Sequence, residues 1–235
     1  MSEWVSEEAE LFHIAREPAE TRAADTNPLL VLIHGYGSNE EDLMGLAPYL
    51  DRRFQIVSVR APLQLGPGRY SWFSLDVTST GLTVDHEEAI SSHRRLTALI
   101  PRLQEQYGTD PSATFLMGFS QGATMAVAAG LVDTPAAGGS PASAGVVSLS
   151  GVCVPELIPK SEEVEALRGK PFFMTHGRAD GVVPIEAGRA FHRRLQPLSL
   201  DLVYREYDMG HEINQECLAD LAAWLQGKIE KRLSA

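Results

Sequence analysis

Short apolar runs alternate along this chain with longer stretches in which apolar residues recur at helical spacing. LLVLIHG (29–35) is continuously apolar until glycine ends it, and QIVSVRAP (55–62) is a second strand-length run stopped by Pro62. Runs of this length and composition predict strands buried on both faces. ATFLMG (113–118), GVVSLSG (145–151) and PFFMTHG (171–177) predict three more, and DLVYREY (201–207) a strand with partial alternation. ELFHIA (10–15) adds an N-terminal edge strand.

The intervening stretches read as helices. Ile90, Leu96, Leu99, Ile100 and Leu103 lie near helical spacing within 87–106, where Pro101 is expected to kink the helix. ATMAVAAGLV (123–132) and EAGRAFHRRLQ (186–196) follow, and a last helix from Ile213 to about Leu225 carries Cys217, Leu218, Leu221, Ala222 and Leu225 on one stripe. Strand–helix alternation predicts right-handed crossovers and a mostly parallel sheet with helices on both faces, an α/β fold. The Ala-, Gly-, Ser- and Pro-rich segment 133–145 reads as a flexible surface loop, because strand-like runs continue on both sides of it. Residues 1–235 therefore read as one domain, with 1–9 as a loose tail.

Composition narrows the function classes. With 44% hydrophobic residues the chain has enough apolar side chain for a sizeable core, and its 235 residues suit one large α/β domain. A net charge of −11 argues against nucleic acid as a partner, since phosphate binding needs a basic face. Cys153 and Cys217, 64 positions apart, form no CxxC pair and read as reduced structural thiols. The acidic start MSEWVSEEAE has no apolar core of a secretory signal, and no run approaches the length of a membrane span. These features predict a cytoplasmic protein without a membrane span; the sequence leaves a homodimer open.

Candidate chemistry lies at the C-terminal ends of predicted strands, the edge where open α/β sheets build their sites. Gly118-Phe119-Ser120-Gln121-Gly122 stands between a predicted strand and a predicted helix, the context a nucleophile elbow requires. Flanking glycines leave room for neighbouring backbone, and the helix N-terminus directs amide N–H groups toward negative charge forming near Ser120. Serine needs a base that is itself held in place. His211 follows the strand 201–207, and Asp180 closes HGRAD after the strand 171–177. The order Ser120, Asp180, His211 is that of an α/β-hydrolase triad, with Asp208 as the alternative partner of the histidine. Two oxyanion donors are also required. The backbone N–H of Gln121 and that of Tyr36, in His34-Gly35-Tyr36-Gly37 after an early strand, are the candidates.

Taken together, HGYGSNEEDL, RAP…WFSLD, GFSQGATMA, LSG, HGRADGVVP and MGHEI resemble the phospholipase/carboxylesterase family of α/β-hydrolases, which includes acyl-protein thioesterases, over most of residues 29–225. The resemblance implies a compact serine esterase without a large cap domain, acting on carboxylic esters, thioesters or lysophospholipids, with no metal and no organic cofactor. The family's roles fall on Ser120, Asp180 and His211, with oxyanion amides from Tyr36 and Gln121. Three departures bear on the substrate: Tyr36 replaces a frequent leucine, Ser74 a frequent aspartate, and the 133–145 loop is longer than usual.

Trp72, Phe73 and Val183 are candidate walls of a substrate pocket, although large aromatics are mostly buried for packing. His34 and His176, each before a glycine at a strand end, are expected to serve local backbone groups. His93 and His192 are expected on solvated helix faces. The main expectation is an esterase working through an acyl-enzyme on a small-molecule ester or thioester. A non-catalytic scaffold of the same fold and an amidase or peptidase are the readings from other classes.

Overall fold

The computed structural model describes residues 10–20, 27–78, 81–132, 143–158 and 167–233. The tail 1–9 and most of the 133–145 loop lie outside these residues. In chain order, β1 (His13–Arg16), β2 (Leu29–Ile33) and β3 (Gln55–Val59) come first. Two small hairpins follow, β4 (Leu63–Gly66) with β5 (Arg69–Ser71) and β6 (Leu75–Thr78) with β7 (Gly81–Val84). The remainder is α1 (His86–Gln106), β8 (Thr114–Phe119), α2 (Gln121–Val132), β9 (Gly145–Leu149), β10 (Pro171–Gly177), α3 (Ile185–Leu195), β11 (Asp201–Tyr207) and α4 (Gln215–Leu233).

Seven strands form one sheet in the order β1-β3-β2-β8-β9-β10-β11. All neighbours are parallel except β1, which runs antiparallel to β3 at the edge. The expected N-terminal edge strand is therefore present, shifted to start at His13. Strand periodicity divides the core between two faces. Leu29, Val31 and Ile33 of β2 join Leu96, Leu99 and Leu103 of α1, the alanines of α2, and Phe191 of α3. Leu30 and Leu32 point the other way, to Leu43 and Ala47 of the short 3-10 helix Leu43–Tyr49 and to Cys217, Leu221 and Leu225 of α4.

After β2 the chain steps outward to β3, then returns to lay β8 on the other flank of β2. The strand order thus reverses between β2 and β8, and in open α/β sheets that switch point opens a crevice at the C-terminal strand ends. Ile33 lies opposite Gly118 in the β2–β8 register, so the loop after β2 emerges beside Ser120.

Several local expectations change. Helix α1 runs through Pro101, because Leu96, Leu99, Ile100 and Leu103 anchor its apolar stripe on both sides of the proline. His93 is half-buried between α1 and the backbone of Ala128 in α2, and burial lowers its pKa. His192 is half-buried too, stacked on Tyr204 with ring centroids 4.4 Å apart. Neither occupies the solvated face that helical spacing alone suggested.

Candidate active site

Ser120 closes the turn between β8 and α2 with φ of 54°, a left-handed conformation that costs a non-glycine residue free energy. Its backbone is held on both sides: the Ser120 N–H donates to the Leu149 carbonyl at 2.8 Å, and its carbonyl accepts from Ala123 N–H at 3.0 Å. The flanking glycines have separate reasons. A Cβ on Gly118 would run into the backbone of Gly122, and one on Gly122 would run into the Ile33 and His34 carbonyls. Only the pair lets the first turn of α2 sit against the ends of both β8 and β2.

Asp180, His211 and Ser120 form one hydrogen-bonded chain. The Asp180 carboxylate can only accept, so His211 Nδ1–H donates to Asp180 Oδ2 at 2.7 Å. That fixes the tautomer and leaves Nε2 to accept from the Ser120 hydroxyl at 2.8 Å. The other oxygen of Asp180 accepts the amides of Val182 (2.9 Å) and Val183 (2.7 Å). Burial by itself would raise this carboxyl; the His211 bond and the Val183 and Val182 amides outweigh it and hold the group below its ordinary value. The loops carrying the two residues are laced together, with Arg178 N–H on the Tyr207 carbonyl (2.8 Å) and Ala179 N–H on the Met209 carbonyl (3.1 Å). Phe119 packs its ring 4.8 Å from the His211 ring, limiting the imidazole's tilt.

Asp208, the alternative partner, points away. Its side chain is 88% exposed and pairs with Arg178 at 2.6 Å. His176 is fully buried beside Asp180 and bonds the Val183 carbonyl through Nε2 at 2.8 Å. It therefore steadies the turn whose amides hold the carboxylate. His34 donates from Nδ1 to the Gly35 carbonyl (2.7 Å) and accepts at Nε2 from Ala61 N–H (3.1 Å). That bonding needs a neutral ring, and burial lowers its pKa accordingly.

The loop after β2 abuts the elbow. A Cβ on Gly35 would stand 3.3 Å from the Ser120 Cβ. The Tyr36 N–H that follows has no acceptor among the described residues. Gln121 opens α2, so its N–H is among the helix's unbonded N-terminal donors.

Sequence reasoning missed the side chain of Gln121. It is buried and clamps the next segment from both ends of its amide, accepting from Trp72 N–H and donating to the Phe73 carbonyl, each at 2.7 Å. The same segment is bonded to α1, where Ser92 Oγ donates to the Trp72 carbonyl and Glu88 accepts from Ser74 N–H at 2.7 Å. Trp72 and Phe73 are 0% and 1% exposed, so both rings belong to the core and offer no surface to a substrate. The reason is anchorage: Trp72 Nε1 donates to the His34 carbonyl at 2.9 Å, tying this segment under the loop after β2. Val183 is also buried and meets the site through its backbone, while its neighbour Val182 is 69% exposed.

Among the described residues no group of His, Cys, Asp and Glu has the geometry to hold a metal ion. No helix there is long and apolar enough to cross a membrane.

Comparison with known proteins places the chain in a family. The family model described as phospholipase/carboxylesterase matches residues 17–229. A protein of Oryza sativa subsp. japonica named a probable carboxylesterase is 29% identical over 85% of this chain and 87% of its own length. Acyl-protein thioesterase 1 of Gibberella zeae is 27% identical, over 88% of this chain and 93% of its own. The crystal structure of esterase PE8 superposes with a TM-score of 0.72 at 29% identity, covering 93% of this chain and 99% of that one. The matched region runs from just after β1 into α4 and includes every strand end from which the site is built, so this α/β-hydrolase chain belongs to the phospholipase/carboxylesterase family of carboxylic ester hydrolases.

Proposed function

We propose that this protein is a serine hydrolase that cleaves carboxylic esters of short to medium acyl chain through Ser120, His211 and Asp180. The observation that carries the reading is the unbroken hydrogen-bonded chain from Asp180 through His211 to Ser120. In the proposed reaction Ser120 Oγ attacks the ester carbonyl as His211 Nε2 takes its proton, and Asp180 stabilises the resulting imidazolium. The oxyanion is received by the Tyr36 and Gln121 amides. Collapse of the tetrahedral intermediate breaks the bond to the leaving group, which departs with the proton from His211 and leaves Ser120 acylated. Water, deprotonated by the same imidazole, then releases the acid and restores the serine.

A thioester is the second substrate class, favoured by likeness to acyl-protein thioesterase 1 across most of both chains. The same groups serve it, with a thiolate leaving in place of an alkoxide. Both cysteines are free thiols, in keeping with a reducing, cytoplasmic setting. The test is turnover of 4-nitrophenyl butyrate and a butyryl thioester by wild type and Ser120→Ala. The variant is expected to keep its fold and lose activity on both by about 10³-fold or more, leaving only what the oxyanion donors provide. Full activity in a folded Ser120→Ala protein would overturn the assignment.

A further inference from the structure

We propose that Arg69 gives this site a preference for esters that carry a negative charge, a substrate class that rests on the serine-hydrolase reading above and extends it. Arg69 is the first residue of β5, and this hairpin is tied to the loop after β2 at three points. Gly37 N–H donates to the Tyr70 carbonyl at 2.8 Å, Tyr70 N–H to the Ser38 carbonyl at 2.8 Å, and the Asn39 side-chain amide to the Gly68 carbonyl at 2.9 Å. Arg69 is thus carried alongside the loop that holds the Tyr36 amide.

Alternation along β5 separates its side chains. Tyr70 turns toward Arg60, whose guanidinium lies 4.6 Å from the ring centroid, whereas Arg69 is exposed and lies over Gly37. Its Nη2 is 3.2 Å from where a Gly37 Cβ would stand. From Gly35, which abuts Ser120, to Gly37 is two Cα steps, about 8 Å at most. An anionic group about six bonds from the scissile carbonyl has a reach of that order.

The charge on Arg69 is available. Arg60, Arg178, Arg189 and Arg205 each hold a carboxylate, but Arg69 has none within 4.0 Å among the described residues. Of the three carboxylates that follow this loop, Glu40 uses both oxygens on Arg60, Asp42 accepts the Ser38 hydroxyl at 2.7 Å, and neither Asp42 nor Glu41 comes within 4.0 Å of the Arg69 guanidinium. A guanidinium fork matches carboxylate and phosphate alike. On a chain of net charge −11, a cation with no carboxylate partner among the described residues is a local exception beside this loop, and it acts against the field that disfavours anionic substrates.

The experiment compares matched ester pairs on wild type, Arg69→Gln and Arg69→Lys. One pair places the anion on the acyl group (4-nitrophenyl hemiadipate against 4-nitrophenyl hexanoate), the other on the leaving group (3-carboxyphenyl butyrate against phenyl butyrate). Within each pair the readout is the ratio of kcat/KM values, from which any loss of folded enzyme cancels. Arg69→Gln is expected to lower the ratio in at least one pair by about three- to tenfold, through KM, as loss of one partly exposed charge-assisted contact implies. Arg69→Lys is expected to retain most of the ratio, and the affected pair identifies which half of the substrate bears the charge. Ratios unchanged by Arg69→Gln in both pairs would overturn the proposal, as would a Lys variant that loses as much as Gln. Ser120→Ala, assayed on the same esters, separates the two failures: residual full activity there sinks the serine mechanism, whereas a dead Ser120→Ala with unchanged Arg69→Gln ratios sinks only the role of Arg69.

Discussion

At the scale of single residues, Asp180 carries the clearest consequence. It is the buried end of the hydrogen-bonded chain to Ser120, and three donors converge on its two oxygens. Asp180→Asn keeps the shape but replaces an acceptor facing His211 Nδ1, favouring the wrong tautomer, so kcat is expected to fall by about 10³–10⁴-fold. The same residue predicts a pH effect on stability. Its carboxyl is held below the unfolded value, so the ionised form stabilises the fold at pH above its ordinary value of 3.8. That contribution is lost as pH falls from there through the lowered value. Urea denaturation of wild type and Asp180→Asn should therefore show a stability gap that narrows as pH is brought from neutral to below 3.8. A gap that stays constant across that range contradicts the linkage.

Among elements, α2 matters most, because its first residue holds the segment after β5. Gln121 offers a backbone amide to the proposed oxyanion and a side chain to Trp72 and Phe73. Removing the side chain leaves a buried N–H and a buried carbonyl without partners. Gln121→Ala is expected to cost about 1–3 kcal/mol of stability. Because the same residue positions a proposed oxyanion donor, kcat is expected to fall about ten- to hundredfold with a smaller change in KM. Loss of stability with kcat intact would mean that the side chain only packs. GFSQG marked this residue for its backbone, and HGRAD after a strand marked Asp180, although Asp208 satisfies the same chain order. The Gln121 clamp had no sequence signal, since its partners lie 48 and 49 positions away and both are backbone groups that any residue carries. The hairpins were likewise missed, although Gly66-Pro67-Gly68 is a turn signal between β4 and β5.

For the whole molecule, the sheet separates two cores, and each holds or borders one cysteine. Cys217 lies fully buried under α4 against Thr175, and burial pushes its thiol up to about 11. Cys153 packs, half-buried, against the opposite core. Alkylation of Cys217 at neutral pH should therefore wait for opening of the α4 side of the sheet and follow the urea dependence of unfolding. Cys153 should react faster and with weaker dependence on urea. Rapid labelling of Cys217 in the native protein would show that α4 is less firmly docked than its apolar stripe of Leu221, Leu225 and Ile229 implies.

The sequence by itself determined the alternation of strand and helix, the strand ends at which the candidate site residues gather, and the order Ser120, aspartate, His211. These are local properties, written in apolar runs, glycines and neighbouring residues. Tertiary structure decided which aspartate meets His211, since Asp180 and Asp208 both stand on loops within reach and only the lacing of those loops distinguishes them. It also decided that Trp72 and Phe73 are core and that Arg69 lies beside the loop after β2. Burial and hydrogen-bond partners depend on what packs from elsewhere in the chain, and the identity of a residue does not encode its distant neighbours.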